Sequence, residues 1–160
     1  MRLLIAAVGR LKAGPERELL DRYIERANAA GRSVSLAPVE ISEVSESQAR
    51  RPADRVSEEA GKLDTALPKG AKRIVLDARG RSLSSEELAA RLGKLRDQGA
   101  QTAAFLIGGA DGLTKSALEQ ADLTISFGAA TFPHQIVRIL VAEQIYRAIT
   151  ILSGHPYHRH

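Results

Sequence analysis

The sequence predicts an α/β protein with a parallel sheet covered by helices. The order of its strand-type and helix-type segments leads to this prediction. Short apolar runs of strand type alternate with longer stretches of helical periodicity along the whole chain. Strands separated by helices are joined by crossovers and become parallel neighbours in one sheet. The chain has 160 residues, the length of one domain, so we treat residues 1–160 as a single domain.

Each strand is predicted from an apolar run bounded by turn residues. The opening run meets Gly9 and basic residues too soon to be a signal peptide, so it is read as the first strand. The predicted strands are Leu3–Val8, Val34–Val39, Arg73–Leu76, Ala103–Ile107 and Leu123–Ser126. Because ligands of open α/β sheets bind at the carboxyl ends of strands, we expect a site built from three loops. These follow Leu76, follow Ile107, and run from Phe127 to Phe132.

The helices are predicted from apolar spacing and from signals at their ends. They are expected at Glu16–Ala30, Ser47–Ala66, Ser84–Gln98, near Thr114–Glu119 and at Gln135–Leu152. Ser84 and Glu87 have the spacing of a capping box. The last helix is apolar on nearly every face, which predicts that it is buried centrally or in a subunit interface. Glu143 and Arg147 lie four residues apart on it and are expected to pair.

Composition narrows the possible classes of protein. Cysteine is absent, which excludes disulfides and thiolate catalysis and suits a cytoplasmic protein. No apolar run is long enough to span a bilayer, so no membrane association is expected. The net charge of +4 and the pI near 9.7 agree with a nucleic-acid partner. The polar stretch 40–68 predicts a mobile loop leading into an exposed helix, which is either simply solvated or faces RNA.

Two loops at the predicted site are rich in small residues. The loop Gly108–Gly112 lets a ligand approach the backbone, but it matches neither a phosphate-binding P-loop nor the dinucleotide fingerprint. The loop Phe127–Phe132 leaves backbone groups open, and such groups can hydrogen-bond the edge of an adenine. Either loop is also compatible with a purely structural turn.

The end of the chain combines imidazole, phenol and guanidinium groups. It reads His155-Pro156-Tyr157-His158-Arg159-His160. Such side chains can stack on a nucleobase and bind its phosphate, whereas the absence of a nearby carboxylate speaks against a metal site. A disordered terminus is the alternative. His134 and Arg138, at the start of the last helix, could face an anion or a carbonyl oxygen.

Taken in order, these segments resemble the ribosomal RNA large subunit methyltransferase H family of the SPOUT class. The opening strand ending at Val8-Gly9 and the segment Ile74-Val75-Leu76-Asp77 fit the family, and the resemblance covers essentially the whole chain. The more specific motifs are Leu106-Ile107-Gly108-Gly109, Phe132-Pro133-His134 leading into Arg138, Glu143-Gln144-x-Tyr146-Arg147-Ala148 and His155-Pro156-Tyr157-His158.

The resemblance implies a function, a fold and a set of site residues. Family members are cytoplasmic homodimers that transfer the methyl group of S-adenosylmethionine to N3 of pseudouridine 1915 in 23S rRNA of assembled ribosomes. Their parallel sheet carries a deep trefoil knot, here expected in roughly residues 70–160. The resemblance places cofactor contacts at Leu76, Gly108, Phe127, Gly128, Ala129, Ala130, Thr131 and Phe132. It places catalytic or substrate-side groups at Arg138, Tyr157, His158 and Arg159, with no metal.

Other functions remain open from the sequence. A SPOUT methyltransferase with another RNA target and a non-catalytic ribosome- or RNA-binding protein share these features. A nucleotide hydrolase is disfavoured by the incomplete P-loop. Within the methyltransferase interpretation, His158 is the candidate general base, because an unperturbed imidazole is largely neutral at physiological pH. Positioning and electrostatics alone are the alternative.

Overall fold

The computed structural model describes residues 1–158 and contains one sheet of five parallel strands with helices on both faces. The strands are β1 (Arg2–Val8), β2 (Val39–Val44), β3 (Lys72–Ser82), β4 (Thr102–Ile107) and β5 (Leu123–Ser126). The helices are α1 (Pro15–Gly31), α2 (Pro52–Ala66), α3 (Ser85–Asp97), α4 (Lys115–Glu119) and α5 (His134–Ser153), with a short 3-10 turn at Arg32–Val34. The strand order is β2-β1-β4-β3-β5.

The central strands β1 and β4 are buried on both faces of the sheet, which explains their uninterrupted apolar sequences. On β1, Leu3 and Ile5 belong to the core shared with α1, α3 and α5. Ala6 and Val8 point the other way and pack with Leu63 of α2. The alternation of side chains along a strand thus fixes which helices cover each face.

Helix α5 lies in the main core, as its apolar sequence predicts. It packs against α1 and α3, and Ile145 and Ile149 on it are fully buried. The predicted pair within it also forms, since Arg147 Nη2 donates to Glu143 Oε1 at 2.7 Å. At the start of α3, Ser84 and Glu87 form the predicted capping box. No helix within residues 1–158 combines the length and apolarity needed to cross a membrane.

The predicted strand Val34–Val39 is wrong. Val34 ends a 3-10 turn, Ser35 adopts a left-handed backbone conformation, and the strand begins only at Val39. The sequence misled because the more apolar run lies at Val34–Val39, whereas Val39–Val44 has polar residues at positions 40, 42 and 43. Within residues 1–158, β2 is an edge strand paired with β1 alone, so it accommodates polar side chains that a central strand would exclude. The stretch 40–68 therefore starts with a strand rather than with a mobile loop.

Two other boundaries differ from the prediction. Helix α2 begins at Pro52 rather than at Ser47, because the residue before a proline is disfavoured in the helical region and Arg51 is extended. Strand β3 continues beyond Leu76 to Ser82. It does so through a register shift against β5, after which Arg81 pairs with Ile125. This extension brings additional polar residues to the carboxyl edge of the sheet.

Candidate active site

A cleft of about 320 Å³ opens beside the middle of β3 and the carboxyl ends of β4 and β5. The predicted loops after Ile107 and from Phe127 to Phe132 meet there, whereas the loop predicted after Leu76 is wrong, because β3 continues through the register shift to Ser82. Seven of the eight predicted cofactor-binding residues line it: Leu76, Gly108, Phe127, Gly128, Ala130, Thr131 and Phe132. The eighth, Ala129, is exposed and lies within the same loop without lining the cleft.

The glycine loop 108–112 folds back on itself at one wall of the cleft. Gly112 N donates to Gly109 O at 3.1 Å, and Gly112 has a φ of +83°, which favours glycine. A Cβ atom on Gly108 would lie 2.6 Å from the Gly112 carbonyl oxygen. Glycine at 108 is therefore required by the packing of the loop, a reason that the sequence did not reveal.

The small-residue loop 127–132 is held open by Ser126. The Ser126 hydroxyl donates to Gly128 O at 2.9 Å and accepts from Gly128 N at 3.1 Å. Gly128 has a φ of +115°, and an added Cβ would meet no atom within 4 Å. The residues from Ala129 to Phe132 are exposed. The loop therefore presents backbone donors and acceptors beside the aromatic rings of Phe127 and Phe132.

Asp77 is a site residue that loop-based reasoning missed. Of the described residues that line the cleft, only Asp77 and His134 have ionisable side chains. Arg79 donates from its backbone N and from Nε to Asp77 Oδ1, both at 2.9 Å. Hydrogen bonds from Arg79 lower the pKa of Asp77, so the carboxylate stays charged at neutral pH. Its place directly after Leu76, at the carboxyl end of a predicted strand, was the available signal.

Arg138 lies beneath the cleft rather than in it. Its side chain is fully buried, and Nη1 donates to Glu43 Oε1 at 2.6 Å and to Gly9 O at 2.9 Å. Nη2 donates to Val8 O at 2.9 Å. Burial lowers the pKa of Arg138, and Glu43 opposes that effect. The guanidinium could contact a substrate directly only by leaving these partners. In this structure the Arg138 side chain joins α5 to β1 and β2.

Glu43 is the shared acceptor of this buried network. Burial alone would raise the pKa of Glu43, but hydrogen bonds from Arg17, the Leu11 N–H and Arg138 together lower it. Arg17 Nη2 lies 2.5 Å from Glu43 Oε2, and Leu11 N donates to Oε1 at 3.1 Å. The ionised carboxylate therefore fixes the chain after β1 and the start of α5 in one arrangement.

His134 is the first residue of α5 and lines the cleft. Its Nε2 lies 3.6 Å from Glu46 Oε1, and its carbonyl oxygen is 3.5 Å from Arg138 Nε. Gly9 lies against the side chains of Glu46 and His134, since a Cβ added to Gly9 would approach Glu46 Oε1 to 2.8 Å and His134 Nε2 to 3.3 Å. The network around Arg138 thus sets the position of a cleft residue.

The end of the described chain folds back over α5. Gly154 ends the helix in a left-handed conformation, and the Tyr157 ring packs 4.6 Å from that of Tyr146. The Tyr157 hydroxyl donates to Glu143 Oε1 at 3.1 Å. Burial raises the pKa of Tyr157, so its hydroxyl remains a neutral donor. Arg159, also predicted on the substrate side, lies outside the described residues.

His158 contacts the start of α3. Its Nε2 lies 2.7 Å from Glu86 Oε1. Hydrogen bonds from the Ser84 side chain and the Glu86 backbone, and then from His158, lower the pKa of Glu86 to about 2. An ionised carboxylate only accepts hydrogen bonds, so His158 Nε2 is the donor. Tyr157 and His158 therefore lie against α5 and the first turn of α3, outside the lining of the cleft.

Residues 1–158 match the protein family described as predicted SPOUT methyltransferase. Ribosomal RNA large subunit methyltransferase H of Xanthobacter autotrophicus (strain ATCC BAA-1158 / Py2) is 56% identical over 159 residues, covering 99% of both chains. The protein of the same name from Methylocella silvestris is also 56% identical over 159 residues, with the same coverage of both chains.

The fold also has a solved counterpart. A probable methylase family protein from Haemophilus influenzae Rd KW20 aligns with a TM-score of 0.51, covering 99% of this chain and 70% of that chain. At 15% sequence identity, this likeness concerns the fold alone.

Proposed function

Because the chain belongs to the SPOUT methyltransferase family and to its ribosomal RNA large subunit methyltransferase H group, we propose that it methylates N3 of pseudouridine 1915 in 23S rRNA. S-adenosylmethionine is the proposed methyl donor and the assembled ribosome the proposed substrate. The observation that carries the proposal is the cleft between the middle of β3 and the loops after β4 and β5, because the open backbone of the loop 127–132 and the Asp77 carboxylate both line it.

The groups in the cleft fit this donor. Adenine is flat and has hydrogen-bonding edges, which suits the open backbone of the loop 127–132 and the apolar sides of Leu76 and Val137. The donor carries a positive sulfonium, and the Asp77 carboxylate lines the same cleft. When bound, S-adenosylmethionine would supply an electrophilic methyl group.

Methylation of N3 requires that the imide proton leave before or during the transfer. His158 is the proposed base, and Glu86, which pairs with Nε2, would orient the ring and stabilise the imidazolium that forms. The negative charge left on the imide spreads to two carbonyl oxygens, where a cationic group would stabilise it. We assign that role to Arg159 and treat Arg138 as a positioning residue, since it is buried against Val8, Gly9 and Glu43.

We further propose that the C-terminal part, roughly residues 70–160, forms the deep trefoil knot of the family and that two chains form a cytoplasmic homodimer. Support for the dimer comes from apolar groups beside the cleft. Phe132 and Ile136 are large apolar side chains exposed to 40% and 37%. A second chain that covers them would also exclude water from the cleft.

A binding and transfer experiment tests the proposal. Purified protein is titrated with S-adenosylmethionine by calorimetry, and transfer of labelled methyl is measured on 70S ribosomes from cells lacking the endogenous activity. The expected result is saturable binding and label in 23S rRNA of ribosomes, with far less in free rRNA. Failure to bind the donor would overturn the proposed function.

Two glycine variants sharpen this experiment. Gly128→Ala forces a side chain to adopt a φ of +115° in the cleft loop, and Gly70→Ala imposes similar strain at +78° in the turn between α2 and β3. Neither added Cβ meets an atom within 4 Å. We expect Gly128→Ala alone to lose donor affinity, and equal losses in both variants would remove the loop 127–132 from the binding site.

A further inference from the structure

A second cavity of about 260 Å³ adjoins the cleft between the start of α3, the end of β5 and the middle of α5. It shares Ile125, Ser126 and Phe127 with the cleft. We name it the serine cavity, after four of the residues that line it: Ser82, Ser84, Ser85 and Ser126. Gln144 of α5 completes its polar lining.

The lining of the serine cavity suits an uncharged polar ring. None of the described residues that line it is charged, which disfavours a phosphate or a carboxylate as occupant. Hydroxyl groups and a side-chain amide both donate and accept hydrogen bonds, as the edges of nucleobases do. Leu83, Leu88 and Phe127 supply apolar surface for the faces of a ring.

The orientation of the Gln144 amide is set by its neighbours. Gln144 Nε2 donates to Glu143 Oε2 at 2.7 Å, and a carboxylate can only accept, so the amide nitrogen must face Glu143. Gln144 Oε1 then faces the cavity side, where the Ser85 hydroxyl donates to it at 2.8 Å. The cavity therefore presents a fixed acceptor, which complements an N–H donor.

Methyl transfer is an in-line displacement, so the accepting base must lie next to the donor. The serine cavity adjoins the donor cleft, since Ile125, Ser126 and Phe127 line both spaces. Its other rim lies near the proposed base, because His158 contacts Glu86, the residue after Ser85. The serine cavity therefore adjoins the donor cleft on one side and the first turn of α3, which His158 contacts, on the other.

We propose that the serine cavity receives the target base and that Gln144 Oε1, supported by Ser85, accepts a hydrogen bond from N1–H of pseudouridine. This inference rests on the proposed function. Uridine lacks that donor, because its N1 is bonded to the sugar, whereas pseudouridine is joined to the sugar through carbon. Gln144 would therefore be a specificity-determining residue that distinguishes the two bases.

The test compares two ribosome preparations. One comes from cells lacking the endogenous methyltransferase, and the other lacks in addition the synthase that makes the pseudouridine, so that uridine stands at the target. The wild-type protein should show a higher kcat/KM on the first preparation. In Gln144→Ala this preference should fall about tenfold, as for the loss of one hydrogen bond, with the Kd for S-adenosylmethionine unchanged within about twofold.

Two further variants make the result interpretable. Ser85→Ala should reduce the preference in the same direction. Gln120→Ala is the matched control, since the exposed Gln120, directly after α4, donates from Nε2 to a serine hydroxyl, Ser116 Oγ, at 3.0 Å. It should keep the wild-type preference and the wild-type Kd.

The outcomes separate the inference from the proposed function. An unchanged preference in Gln144→Ala, or a wild-type protein that does not distinguish the two bases, would overturn the inference alone. So would a donor affinity in Gln144→Ala that falls as much as kcat/KM. A wild-type protein that methylates neither preparation would overturn the proposed function and the inference with it.

Discussion

At position 138 a single guanidinium joins three segments that are far apart in the sequence. Its hydrogen-bond acceptors on Val8, Gly9 and Glu43 are 130, 129 and 95 residues away. The sequence indicated that a charge on the apolar helix needs a partner, but spacing along a helix reveals only partners three or four residues distant. Such long-range partners exist only once the sheet has formed.

Arg138→Met should be strongly destabilising. The substitution removes the Arg138 donors to Val8 O and Gly9 O and leaves Glu43 with Arg17 and Leu11 N only, and breaking a buried pair in this way costs about 3 kcal/mol. Equilibrium urea unfolding at a fixed protein concentration measures the free energy of unfolding. Arg26→Met, on the exposed side of α1, is the control and should change it by less than about 0.5 kcal/mol. Similar values for the two variants would contradict a structural role for Arg138.

Asp77→Asn should weaken donor binding without unfolding the protein. The Asp77 side chain is 15% exposed and carries the carboxylate that lines the cleft, so the change removes its attraction for a sulfonium. We expect the Kd for S-adenosylmethionine to rise about tenfold, as for the loss of one charge-assisted contact. Calorimetry measures it, with Asp97→Asn at the exposed Arg96 pair as control. An unchanged Kd would exclude Asp77 from donor binding.

At the scale of elements, the strongest patterns were predictable and the edge of the sheet was not. Runs buried on both faces of the sheet, such as Ala103–Ile107, are apolar throughout, so they can be assigned as strands from the sequence. The edge strand β2 (Val39–Val44) and the extension of β3 beyond Leu76 depend on which neighbour is available for pairing. That information belongs to the assembled sheet, and so does the approach of Asp77 to the cleft.

Helix α2 contacts the glycine loop 108–112 from the side away from the cofactor cleft. Arg55 forms a two-pronged ion pair with Asp111, with Nε–Oδ2 at 2.7 Å and Nη2–Oδ1 at 3.1 Å. Glu59, one turn further along α2, lies behind the same loop, since a Cβ on Gly109 would approach its Oε2 to 2.8 Å. The helix therefore limits the conformations that the loop can adopt.

Arg55→Gln should loosen this loop and raise the Kd for S-adenosylmethionine about threefold to tenfold. Asp111→Asn should do the same, and the double variant should lose little more than either single one, because all three remove one interaction. Arg51→Gln, which breaks only the exposed pair with Asp54, is the matched control. Additive losses in the double variant would show that Arg55 and Asp111 act independently.

At the scale of the whole molecule, the proposed dimer should be visible in solution. We expect light scattering during gel filtration to give roughly twice the chain mass of 17.2 kDa. Ile136→Glu places a charge on the exposed apolar patch beside the cleft and should shift the protein to a monomer. Burying an unpaired charge in the dimer interface would cost too much free energy. Leu19→Glu, at an exposed leucine of α1, tests whether the patch extends to that helix. A monomeric wild-type protein would contradict the proposed dimer.

The central claim is that the cleft and the serine cavity together direct a methyl group to one nitrogen of one base. The most direct measurement is mass spectrometry of 23S rRNA from ribosomes that lack the endogenous modification, after incubation with the protein and S-adenosylmethionine. We predict a single new methyl group on N3 of pseudouridine 1915. A methyl group on another nucleotide, or none despite measurable donor binding, would contradict the claim.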